Sequence, residues 1–433
     1  MPATRRPARA IRATRFRRTT EGRRRRLYDG RRWLARALVL ASAALAGLSV
    51  VAFKRWCDLS RQGFAAVRAA HPLAPLVWTT ACAALIAWAT RRFAPGSAGS
   101  GIPQVMAALE LAVQIAAGVM QQARRWLPAH PGISPHGLPV AGGAAGIAAA
   151  FNAPLAGVMF AIEELASRLE QRSSGLIIAA IVLAGLMGVS WFGNATYFGV
   201  IVVPPLRAAM IGPALLVVAA AGALGGLFAR LLHASLALRS TPLTRWRARH
   251  PVAFAAACGL AVGAIGCASQ GAGFGSGYGY TRALVQGHEN VPLLYVTLRW
   301  VATWLSVWSG VPGGIFAPSL AIGAGLGRDV ASFMGAGDGS PVLIALGMAG
   351  FLAAVTQAPL TSFIIVMEMV DGHAMVLSLM AAALGASLVS RWISRPLYAS
   401  LAAALLAPAQ DASARAEEDE TKTADAAGAS TRT

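Results

Sequence analysis

The chain has 433 residues, of which 56% are hydrophobic and only 13% charged, and its mean hydropathy is +0.56. A soluble domain of this size carries about twice that charged fraction, so the composition excludes an ordinary water-soluble protein. The net charge of +20 is unevenly placed: residues 1–33 hold 13 Arg against Glu21 and Asp29, whereas residues 411–433 hold six acids against three bases.

In chain order, residues 1–33 read as a basic disordered arm. Charge alone would suit a nucleic-acid binder. The arm directly precedes the first hydrophobic run, however, and the positive-inside rule makes it a cytoplasmic flank that keeps the N-terminus inside. The apolar run begins late and no clear small-residue cleavage site follows it, so no cleavable signal peptide is expected. Residues 34–406 form the expected membrane body. Its runs Ala35–Phe53, Leu73–Thr90, Gly175–Gly193, Met210–Leu238 and Ala374–Val389 approach the roughly 20 residues a spanning helix needs. Residues 407–433 have too little apolar content to fold and read as a disordered acidic tail, with no soluble regulatory domain expected after the body. Cys57, Cys82, Cys258 and Cys267 show no CxxC spacing and read as packing residues, neither disulfides nor metal ligands.

The body is not a ladder of uninterrupted spans. Gly and Pro break it at GSGIP (99–103), FNAPLAG (151–157), GVPGGIFAP (310–318) and TQAPLTS (356–362). In lipid, a broken helix survives only where its freed backbone groups face protein or a water-lined cavity, which points to a transporter or channel core. The body also repeats. Asn152-Ala153-Pro154-Leu155 through Glu163 matches Gln357-Ala358-Pro359-Leu360 through Glu368 at an offset of 205. Gly99-Ser100-Gly101 matches Gly275-Ser276-Gly277 at an offset of only 176, and Ile115 matches Ile322 at 207. The second half therefore holds extra residues, including Pro292–Gly310, a plausible span, where the first half runs from Glu110 straight into Leu111. Paired broken segments in two halves point to a transporter with a midplane site. The offsets leave open whether the repeat is inverted, and the unequal halves suggest that one first-half span has been lost. Removing it changes the parity of the first half, so the helices that follow are expected to reorient or leave the membrane.

GSGIP, AAFNAPLAGVMFAIEEL (149–165), GGIFAPSL (313–320), QAPLTSFIIVMEM (357–369) and RPLY (395–398), in this order, resemble the CLC chloride channel and proton/chloride antiporter family across most of residues 34–406. The physical reading agrees. Helix N-termini offer free N–H groups and partial positive charge to an anion without the tight grip of a fixed cation, and the Gly/Pro breaks GSGIP, FNAPLAG, GVPGGIFAP and TQAPLTS contain no Lys or Arg. The resemblance implies an all-α polytopic membrane protein with two related halves and broken, tilted helices. It implies chloride as the main ion, with other small anions as alternatives, a homodimer with one pathway per subunit, an inner-membrane location and both termini in the cytoplasm. By resemblance, chloride is bound by the Ser100 hydroxyl, the Tyr398 phenol and the backbone amides of Ile315 and Phe316. Singly, Ser100 would equally suit a hydrogen-bonded turn and Tyr398 an interfacial aromatic. Glu164 corresponds to the internal proton-transfer glutamate of the antiporter branch. Glu163 and Glu164 would otherwise be solvated charges near Arg168 and Arg172, and Glu368 is read as structural.

The family usually carries GREGP before a V-Q-I run, its glutamate acting as the external gate. Here Val113-Gln114-Ile115 match the tail, the gate position falls on Leu109, and Glu110 is one residue out of register, about 100° round a helix. Proton coupling is therefore expected to be impaired. An intramembrane enzyme is disfavoured, since no His pair has HExxH spacing and no Ser lies in GxSxG. A non-transporting remnant of the same fold stays as the alternative. No metal, organic cofactor or nucleic-acid partner is expected.

Overall fold

Long apolar runs without a polar face satisfy their backbone groups in hydrocarbon by forming helices, and the computed structural model has fifteen α-helices among its described residues. It describes residues 30–93, 111–123, 137–165, 174–193, 196–201, 208–237, 241–287, 294–336 and 340–394, together with 125 and 292, and no strand occurs among them. The first half contains α1 (Gly30–Ala70), α2 (Ala74–Phe93), α3 (Leu111–Ala123), α4 (Gly137–Phe151), α5 (Pro154–Leu165) and α6 (Ser174–Phe192). The second contains α7 (Ile211–Ala237), α8 (Pro242–Arg249), α9 (Pro251–Ala268), α10 (Tyr278–Val285), α11 (Tyr295–Trp308), α12 (Phe316–Phe333), α13 (Ser340–Thr356), α14 (Pro359–Met369) and α15 (Val376–Ile393).

Among the described residues, α1, α6, α7, α9 and α15 are each long and apolar enough to cross a membrane. Four of the apolar runs read from the sequence lie in this set, and Leu73–Thr90 forms α2, which packs along α9. The first run differs from expectation by continuing as one helix far beyond Phe53, to Ala70. Lys54 is accommodated there because its ammonium reaches the Ala150 carbonyl (3.3 Å) and lies over the rings of Phe192 (4.2 Å) and Tyr197 (4.6 Å).

The two halves repeat in three dimensions. α3 packs on α4 as α12 does on α13, α4 on α6 as α13 on α15, and α1 on α6 as α7 on α15. Between the halves, counterparts meet: α2 lies against α9, and α5 against α14. The breaks that separate α4 from α5 and α13 from α14 are built alike. Asn152 (φ 54°) and Gln357 (φ 57°) both take the left-handed conformation, and a proline then opens the next helix, where its missing N–H is harmless. The Asn152 side-chain amide donates to the Gly193 carbonyl beyond α6 (3.1 Å), and the Gln357 amide donates to the Ser394 carbonyl beyond α15 (3.2 Å). Each break thus satisfies the end of the span that closes its own half.

The inequality of the halves is equally visible. Between α9 and α12 lie α10 and α11, within residues 269–315; between α2 and α3 lie only residues 94–110, outside the described set. The stretch is too short for counterparts of both α10 and α11 with their loops. Despite this inequality, α3–α6 pack among themselves as α12–α15 do. Their glycine-mediated contacts explain why. A β-carbon at Gly142 of α4 would lie 2.7 Å from the Ala116 carbonyl oxygen and 2.6 Å from Ala117 Cα of α3, and Gly347 of α13 meets Gly323 and Gly327 of α12 in the same way. Gly142→Val is expected to lower stability by about 1–3 kcal/mol through overpacking. Gly118→Ala, at a position with no neighbour within 4 Å, is expected to be neutral or slightly stabilising. Thermal unfolding in detergent, followed by loss of the monodisperse species, distinguishes the two.

Candidate anion site at the start of helix 12

Residues 309–315 deliver the chain to the middle of the fold as irregular backbone. Gly310 takes a left-handed conformation (φ 77°), and the Ser309 hydroxyl accepts from the Val311 amide (3.1 Å). Helix α12 then begins at Phe316 with Ile315 as its N-cap, and both are buried. An N-cap residue normally satisfies the first free amides through a side-chain oxygen, which isoleucine lacks, and no side chain caps this helix. Pro318, at the third helical position, carries no N–H, so the donors of this end are concentrated at its very tip. A buried helix end of this kind has partial positive charge and unpaired donors in a place that water does not freely reach.

The neighbouring helix ends provide a comparison within the same molecule. The N-terminus of α14 is met by the Glu163 carboxylate at the end of α5. Oε1 accepts from the Leu360 amide (3.2 Å), and Oε2 from the Thr361 amide (2.8 Å) and the Thr361 hydroxyl (2.6 Å). The N-terminus of α5 is met by Glu368 at the end of α14, whose Oε1 and Oε2 accept from the amides of Leu155 (3.1 Å) and Ala156 (2.7 Å). α5 and α14 are therefore antiparallel and cap each other, and since they are counterparts, the repeat is inverted. Glu163 is thus not the solvated charge that the sequence alone allowed, and Glu368 has a structural position. Of these three proline-marked helix starts, two carry a carboxylate of the protein and the third, α12, carries none.

The wall beside α12 is aromatic and hydroxylic. Phe316 faces Phe151 (6.4 Å between ring centres), which meets Tyr197 (6.0 Å), which meets Phe198 and Tyr278 (4.9 Å each). The Ser319 hydroxyl, one turn into α12, is fully buried without a hydrogen-bond partner, as is the Gln114 amide nitrogen on α3. Residue-level symmetry makes Phe316 the counterpart of Leu109, the offset of 207 being the one that brings Ala116 and Gly323 onto the equivalent contacts of Gly142 and Gly347.

Of the residues assigned by resemblance, Ile315 and Phe316 stand together at this helix end. Ser100, Leu109, Glu110 and Tyr398 lie outside the described residues, as do Arg168 and Arg172. Glu164 belongs to α5, but its side chain lies outside what is described. The second-half counterpart of the Ser100 motif is described, and there the Ser276 hydroxyl accepts from the Tyr278 amide (3.4 Å) at the start of α10. Arg299 of α11, only 2% exposed, organises the preceding loop: Nη1 donates to the carbonyls of Ala272, Gly273 and Phe274 (3.1–3.3 Å), and Nη2 to Gly275 (2.5 Å). Sequence reasoning missed Arg299, Ser319 and the cross-capping by Glu163. The signal for Arg299 was an arginine inside the apolar segment Pro292–Gly310, which in lipid needs internal acceptors.

Glu163→Gln and Glu368→Gln each remove the charge from a cap while nearly preserving shape. Each is expected to lower stability by about 1–3 kcal/mol, with near-additive effects in the double variant because the caps sit at opposite ends of the helix pair. Unfolding of the purified variants in detergent checks this.

Residues 111–391 match the family model described as voltage gated chloride channel. The chain is 31% identical to the H(+)/Cl(-) exchange transporter ClcA of Cronobacter sakazakii, covering 88% of this chain and 92% of that one. It is also 31% identical to ClcA of Klebsiella pneumoniae, covering 82% and 86%. The first alignment spans 441 positions, more than the 433 residues present here, so it includes positions of the relative that have no counterpart in this chain. Among solved structures, a slow cyanobacterial Cl-/H+ antiporter superposes with a TM-score of 0.70 at 23% identity, over 86% of this chain and 98% of that one. A CLC-type fluoride/proton antiporter gives 0.68 at 20% identity, over 85% and 97%. With the inverted halves, the broken helices and the uncapped buried end of α12 in agreement, the chain belongs to the voltage gated chloride channel family.

Proposed function

We propose that this protein moves chloride across the membrane through a site at the N-terminus of α12. The observation that carries the reading is the contrast among helix starts: α5 and α14 hold a carboxylate of the protein, whereas the buried, uncapped start of α12 offers its amides to an anion that is free to leave. A mobile ion needs attraction strong enough for entry and weak enough for exit, which amides supply better than a fixed guanidinium. The backbone amides of Ile315 and Phe316, the Ser100 hydroxyl and the Tyr398 phenol form the chloride site. Glu164 is the internal proton carrier. Leu109 occupies the gate position and cannot take a proton, so coupling is impaired unless Glu110 substitutes. The working unit is a homodimer in the inner membrane with both termini cytoplasmic, and its activity is transport rather than catalysis. The relatives named as H(+)/Cl(-) exchange transporters support the ion, and the fluoride/proton antiporter of the same fold leaves room for other small anions.

A second reading, a non-transporting remnant, is favoured by one observation: the 94–110 stretch between α2 and α3 is too short for counterparts of both α10 and α11 with their loops. Chloride efflux from liposomes containing the full chain, with proton movement recorded simultaneously, separates the readings. Chloride efflux without stoichiometric proton movement is expected. Coupled flux would reject the loss of the gate and make Glu110→Gln the next variant, and no flux from verified folded dimer would favour the remnant. If flux is present, Ser100→Ala or Tyr398→Phe is expected to raise the chloride concentration for half-maximal flux about fivefold, the worth of one hydrogen bond.

A further inference from the structure

Between the spans α7 and α9 the chain makes a short helix whose role is unrelated to the anion site. Thr241 caps α8 through its side chain (3.3 Å to the Thr244 amide), Pro242 opens it, and His250 closes it just before Pro251 starts α9. Pro242, Arg245, Trp246, Arg249 and His250 recur at helical spacing and line one open recess of about 260 Å³. Arg247 points the other way, 3.6 Å from where a β-carbon of Gly310 would stand. Trp246 packs edge-on against Phe254 (5.3 Å), which in turn meets Trp308 (5.0 Å), so the helix is pinned to α9 and α11.

The cationic recess has no counter-charge of its own. Among the described residues, the side chains of Arg245, Arg249 and His250 make no ion pair or hydrogen bond. In the sequence, no Asp or Glu stands between Glu170 and Glu289. Because α8 joins two helices long and apolar enough to cross a membrane, headgroup depth is where it is expected, and Leu243 (45% exposed) and Trp246 (38% exposed) are the residue types that settle at that boundary. A Lys/Arg-rich connection without acids is what the positive-inside tendency places at the cytoplasmic face, where anionic lipids are found.

We infer that the recess on α8 binds the phosphate of an anionic phospholipid headgroup. Arg245 and Arg249 present planar donor forks to the phosphodiester, His250 adds a ring nitrogen, and Leu243 with the Trp246 ring lies against the acyl chains. A soluble phosphate would satisfy the arginines and leave Leu243 and Trp246 unused, which is why the lipid is the assigned source.

The test uses purified full-length protein stripped of lipid in detergent and titrated with fluorescent phosphatidylglycerol or phosphatidylcholine. Phosphatidylglycerol is expected to bind more tightly, and Arg245→Gln/Arg249→Gln to weaken it about tenfold while phosphatidylcholine binding is unchanged. The charge-matched control Arg23→Gln/Arg24→Gln, in the basic arm, is expected to change it less than about twofold, since its loss is only of diffuse charge. Equal losses in the two variants, no preference between the lipids, or inorganic phosphate competing as effectively as phosphatidylglycerol at equal concentration would each overturn the proposal. If the glutamine variant does not fold, Arg245→Lys/Arg249→Lys serves instead. It retains the charge but not the fork, and a loss of about threefold is expected; no loss overturns the assignment.

Discussion

Hydrocarbon offers no hydrogen bonds, so a helix that begins or ends inside a membrane must find partners for its end groups within the protein. This fold contains several such ends, and much of its design follows from how each is met. Glu163 and Glu368 each finish one helix and close the start of its counterpart, so a single antiparallel pair, α5 with α14, uses its two carboxylates on its two exposed N-termini. Asn152 and Gln357 do the corresponding work at the C-terminal ends, reaching the carbonyls of Gly193 and Ser394. Beside the starts of α5 and α14, each met by a carboxylate, the buried start of α12 receives no side-chain cap. The same physics that makes broken helices expensive in lipid makes one deliberately uncapped end an attractive station for a small anion.

The repeat explains why both halves use the same solutions. A pseudo-two-fold arrangement places α2 against α9 and α5 against α14, so one local device, a Glu nine residues after a proline-marked helix start, serves twice. Small residues allow the close approach on which the arrangement depends: Gly142 against Ala116 and Ala117, Gly347 against Gly323 and Gly327. These contacts provide packing energy where no hydrophobic force exists between helices in lipid.

Much of this was readable in the sequence. The apolar runs, the Gly/Pro breaks and the offset of 205 located α4–α5 and α13–α14 and their equivalence, because proline and left-handed residues leave local marks. The offset could not reveal the direction of the repeat; the reciprocal reach of Glu163 and Glu368 did, and a contact between residues some two hundred apart leaves no local signal. α1 was read too short because the polar stretch beginning at Lys54 breaks the hydropathy pattern, whereas the backbone continues with Lys54 held against aromatic rings and a carbonyl. At the site, Ile315 and Phe316 were legible from the glycines and proline around them. Ser319 was not, since a serine one turn into a helix has no distinctive pattern until its burial is known.

The unequal halves set the remaining physical question, and Arg299 locates it. In the second half, α11 brings this buried guanidinium to four successive carbonyls of the loop that leads into α10, the loop equivalent to the Ser100 motif. The stretch 94–110 in the first half is too short for counterparts of both α10 and α11 with their loops, and it contains no Arg or Lys. The difference in length is confined to the stretch between α2 and α3, while α3–α6 keep the packing of their counterparts. A stretch of this length, extended at about 3.3 Å per residue, exceeds the roughly 30 Å of a hydrocarbon core, so chain length alone allows α3 to be delivered to the place it occupies.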